Sequence, residues 1–460
     1  MARHGRGFPL KAHITSVKIP QIFTLVPLVA SLLFTGSSVS VSRDRTLTPV
    51  AGTLTLSGQS VTLTKTNLVT PSAGALALSG QSVSLTKTNL ITPSDGALTL
   101  AGQSVSLARD RTLTPTAGAL ALSGQAVTLT KTNLLTPTAG ALTLAGQSVL
   151  VTIGRTITPV AGTLTLAGQS VAVTKDNLLT PSAGALALSA GQSVDLTKTN
   201  LITPTAGALT LTGQIVTLSK GGYVITPTVG SLTLAGQSVS LLKTNLLTPD
   251  AGALTLSGQS VLLSKGFTLT PLTGSLLLSG QSVTLTKDNL LTPTAGSLTL
   301  AGQSVAVTKD NLLTPTAGSL TLSGQSVELT KTRLITPASG TLTLSGQSVI
   351  IARDRLLTPT QGDITLAGQS VVISRSHVIT PVSGALLFAG QSVAVTKSNL
   401  VTPTAGTLTL AGQSVELIRT FSTMVARLDA SINTGIAPAS INTGTSTASI
   451  NTGHTFGSIE

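Results

Sequence analysis

Apolar and small polar residues alternate in two short runs that recur along nearly the whole chain. In the stretch from Thr70 to Ile91, Leu76 and Leu78 share one face of a run over 75–78. Val83 and Leu85 share one face of a second run over 82–86. Alternation with period two predicts a strand for each run. Between them Ser79-Gly80-Gln81 reads as a turn, and its glycine returns as Gly58, Gly102 and onward to Gly412. A glycine held at one place implies a positive φ or a tight corner. Thr-Pro-x-x-Gly forms the second break, since proline lacks an N–H and belongs at a strand start, bulge or edge. No helix of usable length is predicted.

The prolines fix the period. Pro49, Pro71, Pro93, Pro115, Pro137, Pro159 and Pro181 are each 22 residues apart. Pro204 and Pro227 each come one residue late, and the spacing of 22 then returns through Pro249 to Pro403. The two slips fall in predicted corners, at Ala190 beside the Ser189/Gly191 turn and at Gly221-Gly222 before Pro227. One copy cannot shield its Leu/Val face from water, whereas stacked copies bury a continuous seam. The reading is all-β: a β-solenoid of parallel β-helix type, about 18 rungs at roughly 4.8 Å each. The alternative is a series of tandem β-hairpins or sandwich repeats, because the glycine turn is short enough for a hairpin.

The ends bound the array. Residues 1–11 are a basic segment, 12–419 hold the repeats with the first copies diverged, 420–429 form a cap or bridge, and 430–460 are a tail. Basic residues followed by the apolar stretch Ile22 to Phe34 look like a signal peptide. The register points elsewhere. Leu32, Phe34, Gly36, Val39 and Val41 fall one repeat before Leu54, Leu56, Gly58, Val61 and Leu63, and Ser16 to Ile19 fit the second run of a still earlier copy. The stretch is also too short to span a bilayer. In the tail, Ala430-Ser431-Ile432-Asn433-Thr434-Gly435 returns at Ala439 and Ala448, a nine-residue period. It reads as a flexible or weakly β tail, or as a separate attachment segment.

Composition narrows the chemistry. Charged residues are 9% and aromatics 2%, with Tyr223 the single tyrosine and no cysteine or tryptophan. Disulfides, thiolate metal sites and cysteine nucleophiles are therefore excluded. His4, His13, His377 and His454 are scattered, so no metal or other cofactor is expected. The net charge of +13 is concentrated in one column, six residues before the repeat proline. Its members are Lys65, Lys87, Arg109, Lys131, Lys175, Lys198, Lys243, Lys265, Lys287, Lys309, Lys331, Arg353, Arg375 and Lys397, flanked by Arg43 and Arg419. Stacking brings neighbouring cations within about 5 Å, which is costly unless they are solvated or neutralised. The column is either a solvated rim that keeps sheets from aggregating or a linear track for an anionic polymer. The near-absence of aromatics for stacking counts against nucleic acid.

Two residues further on stands a column of asparagines, including Asn67, Asn89 and Asn133. Asparagine at a corner can take left-handed geometry. The remaining outward positions are mostly Ala, Thr and Ser, interrupted by leucines and Asp363. Positive mean hydropathy with such faces favours self-association. No Gly-x-Ser-x-Gly, Walker loop, His-Glu-x-x-His or isolated pair of carboxylates occurs, so an enzyme is not expected.

The unit from Leu291 to Val305, Leu-Thr-Pro-Thr-Ala-Gly-Ser-Leu-Thr-Leu-Ala-Gly-Gln-Ser-Val, resembles the Thr-Pro-x-x-Gly-x-Leu-x-Leu-x-Gly repeats of bacteriophage virion and tail-associated proteins. The resemblance covers roughly residues 12 to 419. It implies an elongated, particle-attached or host-contacting fibre that needs no signal peptide. The expected function is thus a structural, self-associating β-repeat protein of viral-particle or surface type, located on a virion or at a cell surface. Its expected partner is itself. The alternative is an extracellular module that engages an anionic polysaccharide or host surface along the Lys/Arg column.

Overall fold

The computed structural model describes residues 16–19 and 31–418, apart from 43–45, 66–67, 89, 109–111, 132–133, 153–155, 175–177, 199–200, 220–223, 243–245, 265–267, 287–289, 309–311, 332–333, 353–355, 375–377, 397–399 and 402–404. It also describes 430–434, 440–442, 450–452 and 455–457. The proposed basic segment 1–11 and cap 420–429 lie outside these residues.

Every described element is a β-strand, and each 22-residue repeat makes one coil of a parallel β-solenoid. The strand Ala75–Thr86 carries both predicted runs, and Leu90–Ile91 adds a short third side. The inward residues are Leu76, Leu78, Val83, Leu85 and Ile91, each at most 1% exposed. Inward positions are even-numbered before Gly80 and odd-numbered after it, so the chain rounds a corner there. The turn expected at Ser79-Gly80-Gln81 is therefore a bend within one strand in most coils. It is a true interruption only in three described coils, as between Ala208–Thr212 and Ile215–Ser219.

Coils stack in register, each residue beside its counterpart one repeat away. Leu298 lies beside Leu320, Val305 beside Val327 and Leu312 beside Leu334. Parallel pairing excludes the hairpin alternative, which requires antiparallel neighbours. The ladder continues through the proline corner, where Thr70 N donates to Leu47 O (3.0 Å) and Ser72 N to Pro49 O (2.9 Å). The described prolines are buried there, at a place in the corner where a missing N–H leaves the ladder intact.

Close approach explains the glycines. A Cβ on Gly102 would lie 2.5 Å from Gly80 O, and one on Gly74 would meet Gly52 O and the Pro49 ring. Neither Gly80 nor Gly102 has a left-handed φ, so the alternative of a positive φ gives way to the tight corner. Ala190, the inserted residue, takes the place opposite Gly168, and the register shifts there between Gly168 and Ser170.

The coils fall into two compact units, Met1–Thr199 with Ala206–Leu211, and Asn200–Thr205 with Thr212–Glu460. In the first, Leu32–Ser42 pairs with Thr53–Thr64 in the register Leu32↔Leu54 and Val41↔Leu63. Ser16–Ile19 pairs in turn with that strand, Ser16 beside Ser38. In the second, the nine-residue repeats extend the stack with short strands. Ala430–Thr434 pairs with Thr407–Gly412, and Ser440–Asn442 with Ser414–Ile418. Ile450–Thr452 follows on Ala430–Thr434. The last described strand, Thr455–Gly457, turns back antiparallel on it. Ile432 lies beside Ile450, 18 residues on, so two nine-residue steps advance the chain by about one coil.

Candidate binding surfaces

Each coil has three outward corners, and their chemistry differs. At the glycine corner one glutamine per coil points outward, exposed from Gln59 to Gln413. At the proline corner the residues between Pro and Gly are small or hydroxylated in most coils. Thr116 Oγ1 donates to Pro93 O (3.2 Å) and Thr138 Oγ1 to Pro115 O (3.2 Å), so the hydroxyl gives the carbonyl of the neighbouring coil a second donor. Threonines just before the proline stack likewise, with Thr158 and Thr180 hydroxyls 3.1 Å apart and those of Thr270 and Thr292 3.1 Å apart.

The third corner holds the cation column. Lys65, Lys87, Lys131, Lys198 and Lys331 are exposed, with φ of 62–65°. That left-handed turn swings the chain out of the long strand toward the short one. For a residue with a Cβ it costs roughly 1–2 kcal/mol. Lys65 N donates to Thr86 O (2.9 Å) and Lys131 N to Thr152 O (2.9 Å), which ties each corner to the next coil. Lys65 and Lys87 directly follow the paired residues Thr64 and Thr86, so they stand on adjacent coils. Their backbones are therefore about 4.8 Å apart. Arg43, Arg109, Lys175, Lys243, Lys265, Lys287, Lys309, Arg353, Arg375, Lys397 and Arg419 lie outside the described residues. So does the asparagine column, in which left-handed geometry was expected; the described left-handed residues are the lysines.

Chemistry beyond these columns is sparse. Asp95, Asp250, Glu328, Asp363 and Glu416 are exposed on separate coils. Asp363 Oδ1 accepts from Ala385 N (2.9 Å), a tie between coils. Among the described residues no group of three or more His, Asp or Glu could hold a metal ion. No helix of the described residues is long and apolar enough to cross a membrane. The described hollows are open grooves along the proline corner. One of about 300 Å³ is lined by Ala338, Ser339, Thr360, Gln361, Val382 and Ser383. Another, of about 420 Å³, runs along Asp95 to Thr163.

Sequence reasoning missed one outward column, the first residue of each short strand. It holds Leu68, Leu90, Leu134 and Leu178, all half-buried, with Thr112 and Thr156 in other coils. Its signal was mixed, because this place alternates between aliphatics and Thr46, Thr112, Thr156 and Thr268, whereas the aliphatic directly before Thr-Pro, as Val69 or Ile91, is the inward residue.

Fold and surfaces together define the class: a 22-residue-repeat parallel β-solenoid with an aliphatic core and a lysine-bearing corner. The chain matches no known family model, no curated protein and no solved structure.

Proposed function

We propose that this is a structural β-repeat protein that associates with itself, of viral-particle or surface type. One observation carries the reading: the coils repeat the same core and the same corners, so the surface is a set of ladders rather than a single distinctive cleft. Enzymes and small-molecule binders gather unlike polar groups in a concave pocket. Ladders suit contacts that extend along an array. The outward Leu, Ala and Thr columns supply apolar and weakly polar area, the mean hydropathy is +0.44, and monomers rarely leave large apolar faces open to water. The resemblance to phage virion repeats adds weight to a particle-attached role.

Sedimentation velocity across a concentration series at low and high salt tests it. Self-association that persists or strengthens with salt fits apolar faces. A chain that stays monomeric at every concentration contradicts the proposal.

A second reading rests on the lysine corner. Lys65 and Lys87 hold exposed charge on adjacent coils, which suits an anionic polymer laid along the axis. Binding to a sulfated polysaccharide would then weaken steeply with added salt. Affinity that does not respond to salt, or no binding at low salt, counts against it.

A further inference from the structure

Of the eight exposed large aliphatic residues among those described, Leu32, Leu33, Ile215 and Val229 follow no common interval, and the other four do. Val50, Val160, Leu272 and Val382 all sit directly after the repeat proline, with relative exposures of 37%, 41%, 39% and 38%. The other described coils place Thr, Ser, Ala or Asp there, as at Ser72, Thr116, Ala338 and Asp250, while Leu28, which follows Pro27, lies outside the described residues. The interval between them is the same each time. Val160 follows Val50 by five coils, through Pro71, Pro93, Pro115, Pro137 and Pro159. Leu272 follows Val160 by five, and Val382 follows Leu272 by five, even though two inserted residues intervene before Leu272. Outward positions nearby add aliphatics in some of these coils, though Thr55, Thr165 and Ser40 stand at the corresponding places in others. Leu277 and Leu387 are outward in the Leu272 and Val382 coils, where most other coils have Thr or Ala. Leu150, Leu262 and Val372 are outward in the coil before. Ile350 is an added aliphatic in that column, and Val229 and Ile215 are exposed apart from this interval.

These residues do not serve their own coil. Val160 N, Leu272 N and Val382 N keep the backbone bond to the preceding coil's proline carbonyl, 2.9 Å in each case. The side-chain bond that Thr116, Thr138 and Thr360 make to that carbonyl is given up. Apolar surface is put into water in its place. An exposed aliphatic residue that adds no bond to its own coil and recurs at a fixed interval indicates a contact elsewhere.

We infer that the proline corner is the surface along which two copies of this chain meet, keyed by an apolar residue on every fifth coil. The inference rests on the self-association proposed above and assigns it a surface. Charge selects the occupant. Among its described residues the corner carries Asp95 and Asp250 and no cation, so an anionic polymer has nothing to grip, and a like corner meets little repulsion. Pitch selects it further. Within either unit the keys stand five coils, roughly 24 Å, apart, and a second copy offers the same interval. The groove beside Val382, lined by Ala338, Thr360 and Gln361, can receive an opposing side chain.

The test is the variant Val50→Thr, Val160→Thr, Leu272→Thr and Val382→Thr, which installs the residue other coils already use. Sedimentation velocity should show self-association weakened at least about tenfold, with an unchanged circular dichroism spectrum. The chain has no cysteine, so Val160→Cys should give disulfide-linked dimers on oxidation, and Gln169→Cys, on the glycine corner, should not. Undiminished association of the fourfold variant, or equal cross-linking from both cysteine positions, overturns the inference and leaves self-association standing. A wild-type chain that remains monomeric overturns both.

Discussion

At Gly302 an added Cβ would stand 2.5 Å from the carbonyl oxygen of Gly280, nearer than real Cβ atoms approach any backbone. The repeated glycine is there because neighbouring coils touch at that corner. Ala190 tells the same story, since alanine opposite Gly168 coincides with the shift of register. Gly302→Ala should therefore cost about 1–3 kcal/mol, with the loss local. Ala301→Ser, a swap the chain itself makes at Ser279 and Ser323, should be silent. Urea midpoints and hydrogen exchange over Ser275–Thr286 and Ser297–Thr308 would compare the two. A Gly302→Ala variant as stable as the wild type would contradict the packing described. At this scale the core was legible, because Leu76, Leu78, Val83 and Leu85 announce their face by alternation. The reason for each glycine was not, since a bend, a left-handed φ and a close approach all write the same letter. Lysine in left-handed geometry was not legible either: asparagine nearby is the better intrinsic former of it.

The long strand and the short strand share the burden of each coil. Two residues cannot display a period, so Leu90–Ile91 was hidden between an asparagine and the Thr-Pro break. Yet Ile91 is 0% exposed and closes the core from the third side. Ile91→Ala should cost about 2–5 kcal/mol, the range for removing a buried aliphatic from a packed interior. Leu90→Thr should change stability by no more than about 0.5 kcal/mol, because Thr112, Thr156 and Thr268 fill that outward place in other coils. Thermal unfolding of the two variants checks the assignment. Equal effects would mean that the short strand does not contribute a core face. The bend at Gly80 was only partly legible. Polar Ser-Gly-Gln signals a break in hydrophobicity, but backbone pairing with neighbouring coils carries the strand through it.

Across the molecule, stability is local to neighbouring coils, so whole coils are interchangeable units. Deleting residues 297–318 removes one complete coil and lets Ser275–Thr286 meet Ser319–Thr330 in the original register. Circular dichroism and protease resistance should stay as in the wild type. Deleting 297–307, half a coil, turns inward residues outward and should leave the chain open to protease. Parallel stacking was legible here from the period and from the slips that fall in corners. The five-coil interval was not legible from the 22-residue period itself: Val50, Val160, Leu272 and Val382 depart from the small or hydroxylated residue at that place, and only their exposures show that they face outward.

Cross-linking tests the stacking most directly, since the chain is free of cysteine. Thr299 and Thr321 are partners in register on adjacent coils, with backbones about 4.8 Å apart, inside the span a disulfide bridges. The double variant Thr299→Cys with Thr321→Cys should form an intramolecular disulfide in dilute solution. Thr299→Cys with Thr343→Cys, two coils apart, should remain reduced under the same oxidant. A bridge in the second pair but not the first, or in neither, would contradict coils stacked in parallel one repeat apart.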